Sequence, residues 1–112
     1  MKLVTAIVRP SRIDDVKEAL KTTGVLGLTL SDVNGFGRQF GHTEIYRGTE
    51  YKVEFIPKSK LEILCDDAAA SGVVEAIVGA ARSDTVGDGK IWVTDVGEVV
   101  RIRTGERGID AI

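Results

Sequence analysis

The glycine-rich stretch Val86-Gly-Asp-Gly-Lys90 carries the clearest chemical signal in this sequence. Glycines let a backbone curl until its N–H groups point at an anion, and a lysine directly after them adds a point charge. Arg101 and Arg103 would project to one side of an extended segment, where two guanidinium groups can meet a polyphosphate. Each half alone is usually an ordinary tight turn or a solvated strand face. Together they favour a nucleotide site.

Other chemistry-bearing residues favour structural roles. His42 is the only histidine, and without a cysteine or acid cluster near it a solvated loop residue is favoured over a zinc ligand or a triad member. The aspartate pairs at 14–15 and 66–67 stand where helices are predicted to begin, and capping explains them without catalysis. Cys65 has no nearby base and Trp92 stands among apolar strand residues, so both are predicted to be buried. The residue types therefore predict binding rather than bond-making.

The composition describes a small acidic protein. The chain has 112 residues, 43% of them hydrophobic, with 15 basic against 17 acidic residues and a net charge of -2. This balance makes nucleic acid a poor partner. No apolar run is long enough to span a membrane, and the first residues lack the features of a signal peptide, so a cytoplasmic location is expected. A single domain over 1–112 with 13 glycines and 5% aromatic residues has little core of its own.

Hydrophobic periodicity predicts alternating strands and helices. In chain order we expect a strand from Leu3 to Val8, a helix capped by Ser11 and ended by Gly24, and a strand-like run that opens with Leu28 and ends in Gly35-Phe-Gly37. We then expect a strand from Val53 to Cys65 with an irregularity at Pro57, a helix capped by Asp67 and reaching Ala81, a strand from Lys90 to Thr94, and an extended piece from Val99 to Arg103. This order is that of the α+β, ferredoxin-like βαββαβ sandwich.

The predicted sheet supplies apolar side chains to both of its faces, although two helices can cover only one. These side chains are Leu3, Val4, Ile7, Val8, Ile63 and Leu64. The uncovered face predicts a homo-oligomer packed sheet face inward. A monomer with a partly apolar open face is the alternative.

A long polar segment, from Gly37 to about Glu50, has no clear period. Ordered loops beyond about 12 to 15 residues are uncommon in compact domains and are usually functional or mobile. We therefore predict that this segment is the working surface of the protein. An extended β-hairpin is the alternative, half supported by the alternation of Thr43 and Ile45.

Four separated motifs together closely resemble the PII family of nitrogen-regulatory signal proteins. They are Gly37-Arg-Gln-Phe-Gly-His-Thr-Glu44, Tyr46-Arg-Gly-Thr-Glu-Tyr51, Gly87-Asp-Gly-Lys-Ile-Trp-Val93 and Arg101-Ile-Arg-Thr-Gly-Glu-Arg107. The resemblance runs nearly end to end. It implies a ferredoxin-like homotrimer with a long mobile T-loop at about 37–55, a B-loop at about 82–90 and a C-terminal loop at about 102–112.

The resemblance also implies where effectors bind, in clefts between subunits. It places the adenosine of ATP or ADP at Ile7, Thr29, Gly35, Glu62 and Leu64. It places the phosphates at Gly37, Arg38, Gly87, Asp88, Gly89, Lys90, Arg101 and Arg103, the arginines reaching from a neighbouring subunit. It assigns 2-oxoglutarate to Gln39 and Lys58, with Gln39 completing the shell of an ATP-bound Mg²⁺, an ion that prefers oxygen ligands shared with phosphates.

By the same resemblance the protein is a signalling protein and not an enzyme. Effectors would shift the T-loop between states by their differential affinity for them, and the loop would then engage an ammonium transporter, nitrogen-metabolism enzymes or a transcription regulator. Recruitment to the inner face of the membrane by the transporter would be reversible. Tyr51 matches the site modified by a nucleotidyltransferase, although its residue type alone favours a strand-edge tyrosine packed on Val53.

Three residues depart from the family pattern. Thr49 stands where a small alanine or serine is usual, Phe40 replaces a commonly basic residue, and Asp84 replaces a common B-loop glycine. None removes an expected ligand. Two alternatives stay open: a slow nucleotide hydrolase, for which the sequence offers no dedicated general base, and a divergent PII-like module that regulates another uptake pathway.

Overall fold

The computed structural model describes residues 1–37 and 55–112, and these ranges form two helices and one four-stranded sheet. The strands are β1 (Lys2–Val8), β2 (Thr29–Gly35), β3 (Ile56–Cys65) and β4 (Lys90–Asp95), and the helices are α1 (Ile13–Leu20) and α2 (Ala70–Ala81). The predictions for the T-loop, which include Arg38, Gln39, Phe40, His42, Thr49 and Tyr51, fall outside the described residues.

The sheet runs in the order β2-β3-β1-β4, with every neighbouring pair antiparallel. Central β1 pairs with β3 and with β4, so that Val4 lies between Ile63 and Val93. Helix α1 connects β1 to β2, and α2 connects β3 to β4, which gives the order βαββαβ. The predicted ferredoxin-like fold class is confirmed.

The core lies between the sheet and the helices. Alternate residues of β1 and β3 point to the helices, because side chains alternate across a strand and directly paired residues share a face. The fully buried core residues are Val4, Ala6, Val8, Val16, Leu20, Leu61, Ile63, Val73 and Ile77. Cys65 is buried with them, as predicted, and burial raises the pKa of its thiol, which disfavours the reactive thiolate.

Two helix starts differ from the prediction. Asp66, not Asp67, caps the second helical segment: its backbone is extended, and its carboxylate accepts from the N–H groups of Ala68 and Ala69 at 2.7 and 3.3 Å. Asp67 is already inside the first turn and instead accepts from the amino group of Met1 at 2.7 Å. Ser11 does not cap, because a 3₁₀ turn begins one residue earlier at Pro10, a position that suits proline.

The register passes Pro57 without interruption, so the predicted irregularity in β3 is absent. Asn34 pairs with Pro57 and Gly35 with Ile56, while the pairing of β3 with β1 begins only at Ser59. Pro57 therefore lies where β3 has a single neighbour, and a proline without an N–H is tolerated there.

The predicted extended piece over 99–103 is also wrong. Val100 makes an isolated bridge to Arg107, and the chain turns between them. The Arg101 N–H donates to the Glu106 carbonyl at 2.9 Å, and the Gly105 N–H, at a left-handed φ of 73°, donates to the Arg101 carbonyl at 2.8 Å. Because Arg103 lies in this turn, it does not project beside Arg101 from one strand.

The face of the sheet away from the helices, called here the open face, carries Leu3, Thr5 and Ile7 from β1 with their cross-strand neighbours. Trp92 lies on it and is 45% exposed, so its predicted place in the core is wrong for the single chain. Leu64, on the same face, is 38% exposed. Within the described ranges no helix is both long and apolar enough to cross a membrane.

Candidate functional site

The register gathers the five predicted adenosine positions on the open face. Ile7 lies between Lys60 and Lys90, and Thr29 lies opposite Glu62. Gly35 lies an even number of residues from Thr29 along β2, and Leu64 an even number from Glu62 along β3, so both share that face. Five residues that are far apart in sequence therefore share one face of the sheet, with Gly35 and Leu64 towards opposite ends of β3: Ile7, Thr29, Gly35, Glu62 and Leu64.

The loop over 82–90 borders this surface, because Lys90 opens β4 opposite Ile7. Gly87 and Gly89 both have φ of 102°, in the left-handed region that glycine tolerates. A Cβ on Gly89 would stand 1.7 Å from the Ile7 carbonyl oxygen, so only glycine lets the loop approach β1 this closely. Asp84, where the family has a common glycine, also has a left-handed φ of 61°, and its carboxylate accepts from Arg82 Nε at 2.7 Å.

The Asp88 carboxylate holds the loop from inside. It accepts from the Ser83 N–H at 2.7 Å, from the Ser83 hydroxyl, and from the Thr85 N–H at 3.4 Å. These bonds, with one from Arg9, hold the pKa of Asp88 far below its ordinary range. Since the folded-state pKa is lowered, this stabilisation is present at neutral pH and is lost progressively as the pH falls below the ordinary aspartate pKa. At this predicted phosphate position the Asp88 carboxylate therefore accepts hydrogen bonds from the loop itself.

Arg9, which sequence reasoning missed, ties the same loop to the end of β1. Its guanidinium donates to the Thr85 hydroxyl at 3.0 Å, to the Val86 carbonyl at 2.6 Å and to Asp88 Oδ1 at 3.3 Å. The register contains a signal that could have found it. Ile7 pairs with Lys90 in antiparallel strands, so two residues further on Arg9 must come level with Asp88.

Lys58 connects β3 to the loop. Its ammonium donates to the Gly87 carbonyl at 2.8 Å, and only 8% of the residue is exposed. Burial lowers the pKa of Lys58, and the neighbouring charge of Arg9 lowers it further while Asp88 opposes the shift. The predicted 2-oxoglutarate residue and the predicted phosphate loop are thus in direct contact.

Arg101 and Arg103 make no hydrogen bond to this loop within the described part of the chain. They follow Asp95, at the far end of β4 from Lys90, and the six residues of that strand span roughly 16 Å. Arg101 donates to Glu106 Oε1 at 2.9 Å and to the Ile112 carbonyl at 3.3 Å, while Arg103 is exposed. Gly37, the last described residue after β2, is exposed as well. The structure therefore brings together only part of the predicted phosphate set.

The fold and the site define a class of protein, the ferredoxin-like α+β domains. In this domain the open face meets a glycine-rich loop that bears cations. The chain belongs to the nitrogen regulatory protein P-II family, whose model matches residues 1–106. It is 54% identical over 112 residues, covering 100% of both chains, to a nitrogen regulatory protein P-II from Mesorhizobium japonicum. Proteins of the same description from Rhodobacter capsulatus and Azospirillum brasilense show the same identity and coverage, 54% over 112 residues. The resemblance to the family is confirmed, and with it a nitrogen-regulatory signalling role.

Two glycine-to-alanine substitutions should show whether Gly89 is needed because the loop lies close to β1, or whether any glycine of the chain would respond in the same way. Gly89→Ala places a methyl group against the Ile7 carbonyl and forces a left-handed backbone, so we expect a loss of about 1–3 kcal/mol from the backbone alone. Gly79→Ala is the matched control: nothing lies within 4 Å of its Cβ in α2, and it should stabilise the helix by up to about 1 kcal/mol. Thermal and urea unfolding measure both. Equal effects of the two variants would contradict the close packing of the loop on β1.

Proposed function

We propose that this protein senses ATP or ADP together with 2-oxoglutarate in clefts between the subunits of a homotrimer, and that the loop over 37–55 passes the result to partner proteins. The partners are an ammonium transporter and enzymes or regulators of nitrogen assimilation. The observation that carries this proposal is the contact of Lys58 with Gly87 beside the five gathered adenosine positions. It joins the predicted nucleotide and 2-oxoglutarate sites.

The chemistry of the open face suits a purine nucleoside. Ile7 and Leu64 offer apolar surface for a ring, while Thr29 and Glu62 offer a hydroxyl and a carboxylate for hydrogen bonds to its polar edge. Lys58 and Lys90 stand at the border with the glycine loop, where phosphates would follow. Apolar and polar groups of the kinds that bind a nucleotide thus lie on one face of the sheet.

Two independent features support a trimer with shared sites. The open face leaves Trp92 and Leu64 partly exposed, and apolar surface of this kind is typical of an interface. Arg101 and Arg103 lie beyond the opposite end of β4 from Lys90, so they would complete a phosphate site most simply in a neighbouring copy. One arrangement of subunits would cover the face and complete the site.

Magnesium would enter with the nucleotide. Among residues 1–37 and 55–112 no group of three or more His, Cys, Asp or Glu side chains is arranged to hold a metal ion. An Mg²⁺ ion at this site would draw its ligands from phosphate oxygens, water and the Gln39 side chain, consistent with its preference for oxygen and for retained waters.

Coupling between the effectors follows from Lys58. An oxoacid carboxylate that drew the Lys58 ammonium away from Gly87 would also release the loop that faces the phosphates. By linkage, each effector then alters the affinity for the other by the same factor. Hydrolysis finds less support, because the loop carboxylate Asp88 already accepts hydrogen bonds from Ser83, Thr85 and Arg9 and is poorly placed to act as a base.

Calorimetry tests the effector proposal directly. Prior saturation with ATP and Mg²⁺ should tighten 2-oxoglutarate binding by about 5- to 150-fold, the usual range of coupling between sites, and ATP with EDTA should not. Lys58→Met should abolish the coupling while nucleotide binding persists. The proposal fails if 2-oxoglutarate binds equally well with and without Mg-ATP.

Mixed trimers test whether the sites are shared. Lys90→Ala and Arg103→Ala homotrimers should each bind ATP about tenfold or more weakly, since a charge-assisted hydrogen bond contributes about 1.5–3 kcal/mol. In hetero-trimers of the two variants, isolated with two different affinity tags, each particle should regain one tight site. Doubly tagged trimers of Arg103→Ala alone are the control. Uniformly weak binding in the mixed trimers would place the arginine in its own chain's site.

Modification of Tyr51 is tested by intact-mass spectrometry of the protein from nitrogen-starved and ammonium-fed cells. We expect a mass increase of one nucleotidyl group in one of the two conditions. It should vanish in Tyr51→Phe and persist in Tyr46→Phe, the matched change at the other tyrosine of the chain. An unmodified protein in both conditions would argue against regulation by modification.

A further inference from the structure

The loop over 82–90 has no excess positive charge of its own. It carries two cations, Arg82 and Lys90, and two carboxylates, Asp84 and Asp88. One of each is already paired, since Arg82 Nε donates to Asp84 at 2.7 Å. A loop with this balance has no electrostatic reason to prefer a polyanion.

Asp88 places a negative charge at the part of the loop where phosphate is proposed to bind. It stands between Gly87 and Gly89, the residues whose left-handed backbone shapes the loop. Its side chain is 22% exposed, so water screens its charge only in part. A phosphate bound at these glycines would meet a carboxylate on the intervening residue.

The residue that compensates this charge comes from outside the loop. Arg9, at the end of β1, places its Nε 3.3 Å from Asp88 Oδ1, and its own side chain is only 27% exposed. The remaining guanidinium bonds go to the Thr85 hydroxyl and the Val86 carbonyl. One side chain thus meets the charge of Asp88 and also fixes the path of the loop on both sides of Val86.

We propose that Arg9 is a positioning residue for nucleotide binding, which converts a neutral loop into an anion-accepting one by compensating Asp88 while fixing the loop backbone. The Ser83 hydroxyl and N–H occupy Asp88 from the other side, so the carboxylate stays turned into the loop. This inference rests on the proposed function, because it takes phosphate at the loop as given.

A double-mutant cycle separates charge compensation from simple support of the loop. Arg9→Gln should weaken ATP binding about tenfold or more, in keeping with couplings measured between close charge pairs. Arg9→Gln/Asp88→Asn should return to within about threefold of the unmodified protein, because the carboxylate that required compensation is gone. A residue that only supports the loop predicts the opposite, since the double variant loses more hydrogen bonds and should bind ATP no better than the single one.

The controls keep the outcomes distinct. Arg12→Gln removes a neighbouring arginine whose partner is Asp15, 3.8 Å away in the same helical region, and should leave ATP affinity unchanged. Arg9→Lys keeps the charge without the planar fork and should bind ATP more tightly than Arg9→Gln, which gives a reading even if the glutamine variant folds poorly.

Calorimetry with ATP measures all variants, and thermal unfolding checks that each is folded. If the unmodified protein fails to bind ATP, the proposed function falls. If it binds ATP and Arg9→Gln binds equally well, only this inference is overturned.

Discussion

The pairing of β1 along both of its edges is the constraint on which the rest of the structure depends. Because β3 and β4 both run antiparallel to it, each β1 residue from Lys2 to Ile7 fixes the face of two partners. Val4, Ala6 and Val8 are buried under the helices, which commits the intervening Leu3, Thr5 and Ile7 to the open face. A shift by one residue would exchange the two sets and expose the core. The hydrophobic core therefore also determines where the candidate site lies.

The proposed anion site in the loop over 82–90 is built around a carboxylate. Asp88 gives the loop its shape by accepting from Ser83 and Thr85, and this stabilises a turn that a left-handed Gly87 and Gly89 alone would leave loose. The cost is a negative charge close to the place where phosphate is proposed to bind. Arg9, just after β1, and Lys58, in β3, add two positive charges that contact the loop. The sheet thus contributes as much to the site as the loop does.

The open face and the incomplete phosphate set favour the same arrangement of subunits. One chain leaves Trp92 and Leu64 partly exposed and keeps Arg101 at the opposite end of β4 from Lys90. The homotrimer proposed above would cover the face and bring the arginines of one copy to the loop of its neighbour. Effectors bound between subunits would also link the stability of the assembly to the ligands, since a ligand that binds only the assembled form stabilises it by mass action.

The sequence by itself determined the order of the elements, the fold class, the glycines of the loop and the family, because periodicity, turn residues and motif spacing are local properties. It determined less wherever a contact decides the outcome. Whether Asp66 or Asp67 caps depends on which one has the extended backbone, and the turn after Arg101 depends on a bond to Glu106 five residues on. Trp92 reads as core because a strand pattern cannot tell a covered face from an open one. The role of Arg9 can be recognised only from the strand register, since its hydrogen-bond partners lie more than 70 residues away in the sequence. Tertiary structure alone decides such residues, because their role is set by side chains that only the folded sheet brings within hydrogen-bond distance.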